Sequence, residues 1–110
     1  MIRMLLTLHG YEVTDYAEGE AALQAAVRLR PDLALVDGHL RGLDGFSLAR
    51  AMRSCADLTR LPIIFVSGWS GLEREEQARA AGCDHYLLKP VDLERLLDLV
   101  RDAVGHRTDG

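Results

Sequence analysis

The chain lacks any apolar run long enough to cross a bilayer, and Met1 is not followed by the apolar core of a secretion signal. The cytoplasm is therefore the expected compartment. It has no surplus of basic charge either: 13 Lys and Arg are scattered among 17 Asp and Glu, for a net charge of −4. No basic face is left for a phosphate backbone or an anionic lipid, which excludes direct nucleic-acid binding and membrane attachment. Cysteine is scarce. Cys55 and Cys83 lie far apart, with neither a CxxC spacing nor histidines at zinc-finger intervals, so two reduced thiols are expected, with a disulfide as the minor alternative. Gly38, Gly42 and Gly45 match neither G-x-x-x-x-G-K-[ST] nor a G-x-G-x-x-G after a first strand, so they do not make a nucleotide loop. No G-x-S-x-G elbow surrounds Ser67, which leaves hydrolase chemistry without support, and there is no internal repeat.

What is present suits one globular domain: 110 residues, 48% hydrophobic and 27% charged. Met1, Met4, Leu5 and Leu8 recur at helical spacing up to Gly10, so residues 1–9 read as the latter part of a helix whose stripe packs on the core. Residues 11–16 alternate apolar with polar and predict a half-exposed edge strand. A second helix follows over 18–30, with Ala22, Leu23, Ala26 and Leu29 as its stripe and Pro31 as its stop. The runs 33–36 and 61–66 are apolar on both faces, as buried parallel strands are, and 84–88 reads as a last short strand. Helices are expected from Phe46 to Met52, with Asp44 as cap, over 72–81, and from a cap at Asp92 through Val104. Residues 105–110 read as a tail or linker after a single domain over 1–104. The order αβαβαβαβα implies an α/β fold with a parallel sheet and right-handed crossovers.

Three of those strands end in chemistry. Asp37, Ser67 and Lys89 close the runs LALVD, PIIFVS and HYLLKP, so a parallel sheet would gather a carboxylate, a hydroxyl and an ammonium at one edge. Such a set suits a phosphoryl group: Asp accepts it as an acyl phosphate, Lys neutralises its charge, and Ser bonds an oxygen. Singly, each has a plainer reading. Lys89 would be a surface lysine, Ser67 a turn residue, His39 a loop histidine and Tyr86 an aromatic with its hydroxyl in water.

LALVDGHLRGLDGFSLARAMR, PIIFVSG and AAGCDHYLLKPVDLERLL, in that order, resemble the three signature segments of response-regulator receiver domains. The resemblance covers nearly the whole chain. It implies a flavodoxin-like, CheY-like three-layer sandwich of strand order 2-1-3-4-5. It further implies that Asp37 takes a phosphoryl group from a histidine kinase or histidine phosphotransfer protein, with Lys89 and Ser67 binding the phosphoryl oxygens. Tyr86 matches the aromatic switch, and Lys89–Pro90 matches a cis peptide bond. Output is expected from the face made by the last two helices and the strand between them, where Arg74 and Arg79 would oppose Asp98 and Asp102 in a homodimer. The Lys-Pro segment is closer to receivers of hybrid kinases than to those preceding DNA-binding domains.

The chain departs from the family pattern in three places. The first strand, and the acidic pair at its end that binds Mg2+, have no counterpart before Met1. The expected metal ligands reduce to Asp37 and the backbone carbonyl of His39, so Mg2+ binding is expected to be weak or absent. A lost central strand of about four large apolar side chains would cost roughly 6–12 kcal/mol, so the domain is expected to be marginal alone. A start codon assigned too far downstream, a cut from a longer protein, or a natural short form would each account for this. Arg41 stands where the family usually has Pro, and is expected to point to solvent. His39 and Trp69 add bulk beside the phosphoacceptor, which would screen the hydrolytic water and slow dephosphorylation. Two functions follow: a phosphorylatable receiver, or a pseudo-receiver that binds proteins without phosphorylation.

Overall fold

A computed structural model describes residues 2–37, 44–68 and 71–109. The elements run α1 (Ile2–Leu8), α2 (Gly19–Leu29), β1 (Ala34–Asp37), α3 (Gly45–Ser54), a 3-10 turn (Ala56–Leu58), β2 (Ile63–Ser67), α4 (Leu72–Ala80), β3 (His85–Leu88) and α5 (Leu93–Asp109). Among the described residues the sheet has three parallel strands in the order β1-β2-β3. β2 lies in the middle, and every one of its residues is buried.

Alternation along β2 divides the core between the two faces of the sheet, because successive side chains of a strand point opposite ways. Ile63 and Phe65 pack with Ala26 of α2, Leu48 and Met52 of α3, and Ala78 of α4. Ile64 and Val66 pack with Leu6 of α1, Leu87 of β3, and Leu96 and Val100 of α5. Helices thus cover both faces, which is the three-layer α/β sandwich expected of the chain. Two helix starts are fixed by carboxylates accepting first-turn amides: Asp44 from Ser47 N at 3.0 Å, and Asp92 from Glu94 N at 3.1 Å and Arg95 N at 3.3 Å.

The entries to β2 and β3 are pinned by one arginine. Arg53, near the end of α3, donates to the carbonyls of Gly82 (2.9 Å) and Leu58 (3.2 Å) and to the Asp84 carboxylate (2.9 Å). Asp84 Oδ2 also accepts from Ile63 N at 2.8 Å, so the guanidinium fork ties α3 to the first residue of β2. Gly82, at φ +100, leaves room for that fork: a Cβ there would stand 2.4 Å from Arg53 Cγ.

Four expectations change. Residues 11–16 form no strand, because among the described residues no neighbour ladders with them and a cavity separates them from β1. Alternation alone does not make a strand without a hydrogen-bonding partner. The α1 stripe is not all core. Leu6 is buried, while Met4 and Leu8 are 69% and 76% exposed, because this short helix is rotated to face the sheet with Leu6. Leu29, expected in the stripe of α2, is half exposed on the wall of the same cavity. Finally, α5 continues beyond Val104 to Asp109. Cys55 and Cys83 are free thiols, and burial pushes the Cys83 thiol up to about 11. Among the described residues no helix is long and apolar enough to cross a membrane.

Candidate functional site

The parallel register brings the carboxyl ends of all three strands to one edge. Asp37 closes β1 opposite Val66, and Ser67 closes β2 opposite Leu88, one residue before Lys89. Lys89 N donates to the Ser67 carbonyl at 2.8 Å, which extends the ladder by one step and fixes where the lysine side chain leaves the sheet. From there Lys89 Nζ reaches across the end of β2 to Asp37 Oδ2 at 2.9 Å. The peptide bond between Lys89 and Pro90 is cis. Both charged side chains are partly open to solvent, at 40% and 46%, while Ser67 is only 5% exposed. The site therefore has a solvent-accessible carboxylate, an ammonium already in contact with it, and a sheltered hydroxyl at the neighbouring strand end.

Tyr86 lies inside this arrangement rather than on the surface above it. Its ring stacks on Phe65 with centroids 5.7 Å apart, and Phe65 stacks on Phe46 at 4.6 Å, both pairs within 8° of parallel. Offset stacking at these distances is the favoured aromatic geometry. Phe46 sits at the start of α3, and Gly45 before it lies so close that an added Cβ would be 2.7 Å from Phe65 Cε2 and 3.0 Å from the Asp37 carbonyl oxygen. The aromatic column thus runs from the end of β1 to β3. Phe46 and Phe65 were missed by sequence reasoning as site elements. Their signal was weak, since each also satisfies an ordinary apolar pattern.

His39, Arg41 and Trp69 fall outside the described residues, as do the loop glycines Gly38 and Gly42. Among the described residues no three His, Cys, Asp or Glu side chains cluster as metal ligands. Asp37 is engaged by the Lys89 ammonium, and Mg2+ would require further oxygen ligands around it to complete an octahedron. Asp44 beside the site is held below the usual carboxylate range, chiefly by the hydrogen bond from Ser47 N.

Residues 1–101 match the family model of the response regulator receiver domain. The polar-differentiation response regulator DivK of Brucella anthropi is 30% identical over 96% of this chain and 85% of its own length. The DNA-binding dual master transcriptional regulator RpaA of Synechocystis is 31% identical over 99% of the chain, which spans 45% of that longer protein. Among solved structures, a response regulator from Chloroflexus aurantiacus superposes with a TM-score of 0.89 at 30% identity, covering 96% of this chain and 86% of that one. The receiver domain of a sensor histidine kinase from Pseudomonas aeruginosa, which has a magnesium ion in its active-site cleft, gives 0.86 at 34% identity over 94% and 85%.

Proposed function

Since the chain belongs to the response regulator receiver family of two-component signalling, we propose that Asp37 is its phosphoacceptor and that a histidine kinase or histidine phosphotransfer protein is the donor. One observation carries the reading: the Asp37 carboxylate and the Lys89 ammonium meet at 2.9 Å at the carboxyl edge of a parallel sheet, beside the buried Ser67.

In the transfer, a carboxylate oxygen of Asp37 attacks the phosphorus of a phosphohistidine as the P–N bond breaks. The bonding pair stays on the imidazole nitrogen, which takes a proton from solvent. Lys89 offsets the charge that gathers on the phosphoryl oxygens, and its contact with Asp37 keeps it within reach before the group arrives. Ser67, once bonded to a phosphoryl oxygen, would shift the strand end that Lys89 N shares with it. Tyr86, stacked on Phe65, is the side chain that reports this shift towards β3 and its flanking helices. Magnesium would supply further charge neutralisation in relatives. The donor set here supports weak binding at most, and no step above depends on it.

A phosphorylation-independent pseudo-receiver is the second reading, favoured by the absence, among the described residues, of a cluster of three metal-ligating side chains. The homodimer through α4 and α5 has less support, because Asp98 is already held by Arg101 of its own helix at 3.2 Å. Incubation with phosphoramidate and intact-mass measurement tests the proposal. The expected result is one added phosphoryl group, absent from Asp37→Asn. An unmodified wild-type chain that remains folded would leave the pseudo-receiver reading.

A further inference from the structure

The first residue of α3 packs on the end of β1, and the second packs on the aromatic column. Gly45 is buried so tightly that an added Cβ would stand 3.0 Å from the Asp37 carbonyl oxygen and 2.7 Å from Phe65 Cε2. Phe46 stacks on Phe65 at 4.6 Å, and Phe65 on Tyr86 at 5.7 Å. Both phenylalanines of the chain stand in this one column. The turn that presents Gly45 and Phe46 is well braced: the Asp44 carboxylate accepts from Ser47 N at 3.0 Å and from Ser47 Oγ at 2.9 Å, and the Asp44 carbonyl accepts from Leu48 N at 2.8 Å. A displacement of the Asp37 backbone therefore meets a stiff turn.

The path from that turn to Tyr86 differs from the one at the strand ends. Phe65 stands opposite Val36 in the β1–β2 register and opposite Tyr86 in the β2–β3 register, so it is where the influence of both outer strands arrives on β2. Alternation places Phe65 and Ser67 on the same face. Ser67 reaches β3 through the backbone, its carbonyl accepting from Lys89 N, whereas Phe46 reaches Tyr86 through stacked rings. Ordinary core packing asks only for apolar volume at position 46, which leucine supplies as well. Stacking asks for a ring. Both pairs lie within 8° of parallel, and a flat face pressed on a flat face passes on a shift that a branched aliphatic side chain absorbs by changing rotamer.

We propose that Phe46 is a positioning residue for Tyr86, and that the first turn of α3 ties the Asp37 backbone to the Tyr86 ring through Gly45, Phe46 and Phe65, by a route that does not pass through Ser67. Contiguous packed side chains carry such coupling when one of them has two arrangements, and Tyr86 is that element in the switch proposed above. Linkage is reciprocal, so whatever fixes the start of α3 also biases Tyr86. The connection to phosphorylation rests on the reading of Asp37 as phosphoacceptor. The hold of Phe46 on Tyr86 does not, and the two are separable by experiment.

The test uses the 110-residue chain labelled with fluorotyrosine, in buffer with sucrose to favour the compact state. The Tyr86 resonance is assigned through Tyr86→Phe, and intact mass reports phosphorylation by phosphoramidate. In the untreated chain, Phe46→Leu should move the Tyr86 resonance by more than its linewidth, and Phe46→Tyr should restore it. Should Phe46→Leu not fold, Phe46→Met is read in the same way. Introducing Ser67→Ala should leave the displacement unchanged, because the column bypasses the hydroxyl. Labelling with para-fluorophenylalanine instead gives two resonances, and phosphorylation should move that of Phe46, identified as the one lost in the Phe46 variants. A Tyr86 resonance that stays in place in Phe46→Leu, or that responds equally to leucine and tyrosine, overturns the proposal whatever the mass shows. So does a displacement abolished by Ser67→Ala, or a Phe46 resonance unmoved in the phosphorylated chain. An unmodified mass together with a displaced Tyr86 resonance refutes the phosphoacceptor reading alone and supports the hold of Phe46 on Tyr86.

Discussion

Replacing Phe65 by leucine removes the middle ring of the column that joins Phe46 to Tyr86. Phe65 is 2% exposed at the centre of β2, so the change keeps an apolar side chain but leaves a partial cavity where the ring met Gly45 and its two stacking partners. The loss of buried atoms costs about 1–2 kcal/mol, and each stacked pair adds about 0.5–1.5 kcal/mol beyond area. The total is about 2–5 kcal/mol, measured by urea denaturation at neutral pH. The same substitution should free the Tyr86 ring. Fluorotyrosine incorporation, with the Tyr86 signal assigned through Tyr86→Phe, should show that resonance moving towards its solvent-exposed position, while those of Tyr11 and Tyr16 stay in place. If stability falls by less than about 1 kcal/mol and the Tyr86 resonance does not move, the column neither supports the core nor holds Tyr86, and the switch role proposed for Tyr86 fails.

The Arg53 fork should behave as a unit. Arg53→Met leaves the carbonyls of Gly82, Leu58 and Thr59 and the Asp84 carboxylate without their cation and should cost about 2–4 kcal/mol in urea denaturation, with Arg53→Lys recovering less than half because an ammonium cannot span the same acceptors. A methionine variant within about 0.5 kcal/mol of wild type would show that the carbonyls are satisfied by water instead. Asp44 carries a pH signature. Its carboxyl is held below the usual 3.8, so its contribution to α3 is fully present above that value and is lost as pH falls through the lower folded value. Asp44→Ala should cost about 1 kcal/mol at pH 7, and that difference should shrink on acidification below 3.8; a constant difference would mean that the charged cap contributes nothing.

The parts of the fold that were legible in the sequence are those where one local pattern has one physical solution. Residues 63–66 are apolar on both faces, and only a strand covered by helices on both sides hides them, so β2 and its neighbours could be placed and Asp37, Ser67 and Lys89 brought to one edge. The caps at Asp44 and Asp92 were readable because a carboxylate before a first turn has few other uses. The failures share a cause. MLLTL offers apolar residues at four of five positions, so spacing could not tell which side of α1 meets the sheet, and Leu6 took the place expected of Met4 and Leu8. Alternation over 11–16 states which residues would face water if a strand formed, and is silent on whether a partner strand lies alongside. The Phe65–Tyr86 stack depends on their being opposite each other in the β2–β3 register, a long-range fact that neither segment contains.

That same dependence on register governs the candidate site. The Asp37–Lys89 pair is about half open to water, and exposed pairs contribute only about 0–1 kcal/mol, so the pair cannot be what holds the end of β1 in place. The backbone ladder must do so. Lys89 is fixed through its amide on the Ser67 carbonyl, at the end of a strand paired on both sides. Asp37 is held opposite Val66 by the β1–β2 ladder. The two site residues are thus joined through the backbone of β2, whose ladders set Val66 opposite Asp37 and tie the Ser67 carbonyl to Lys89.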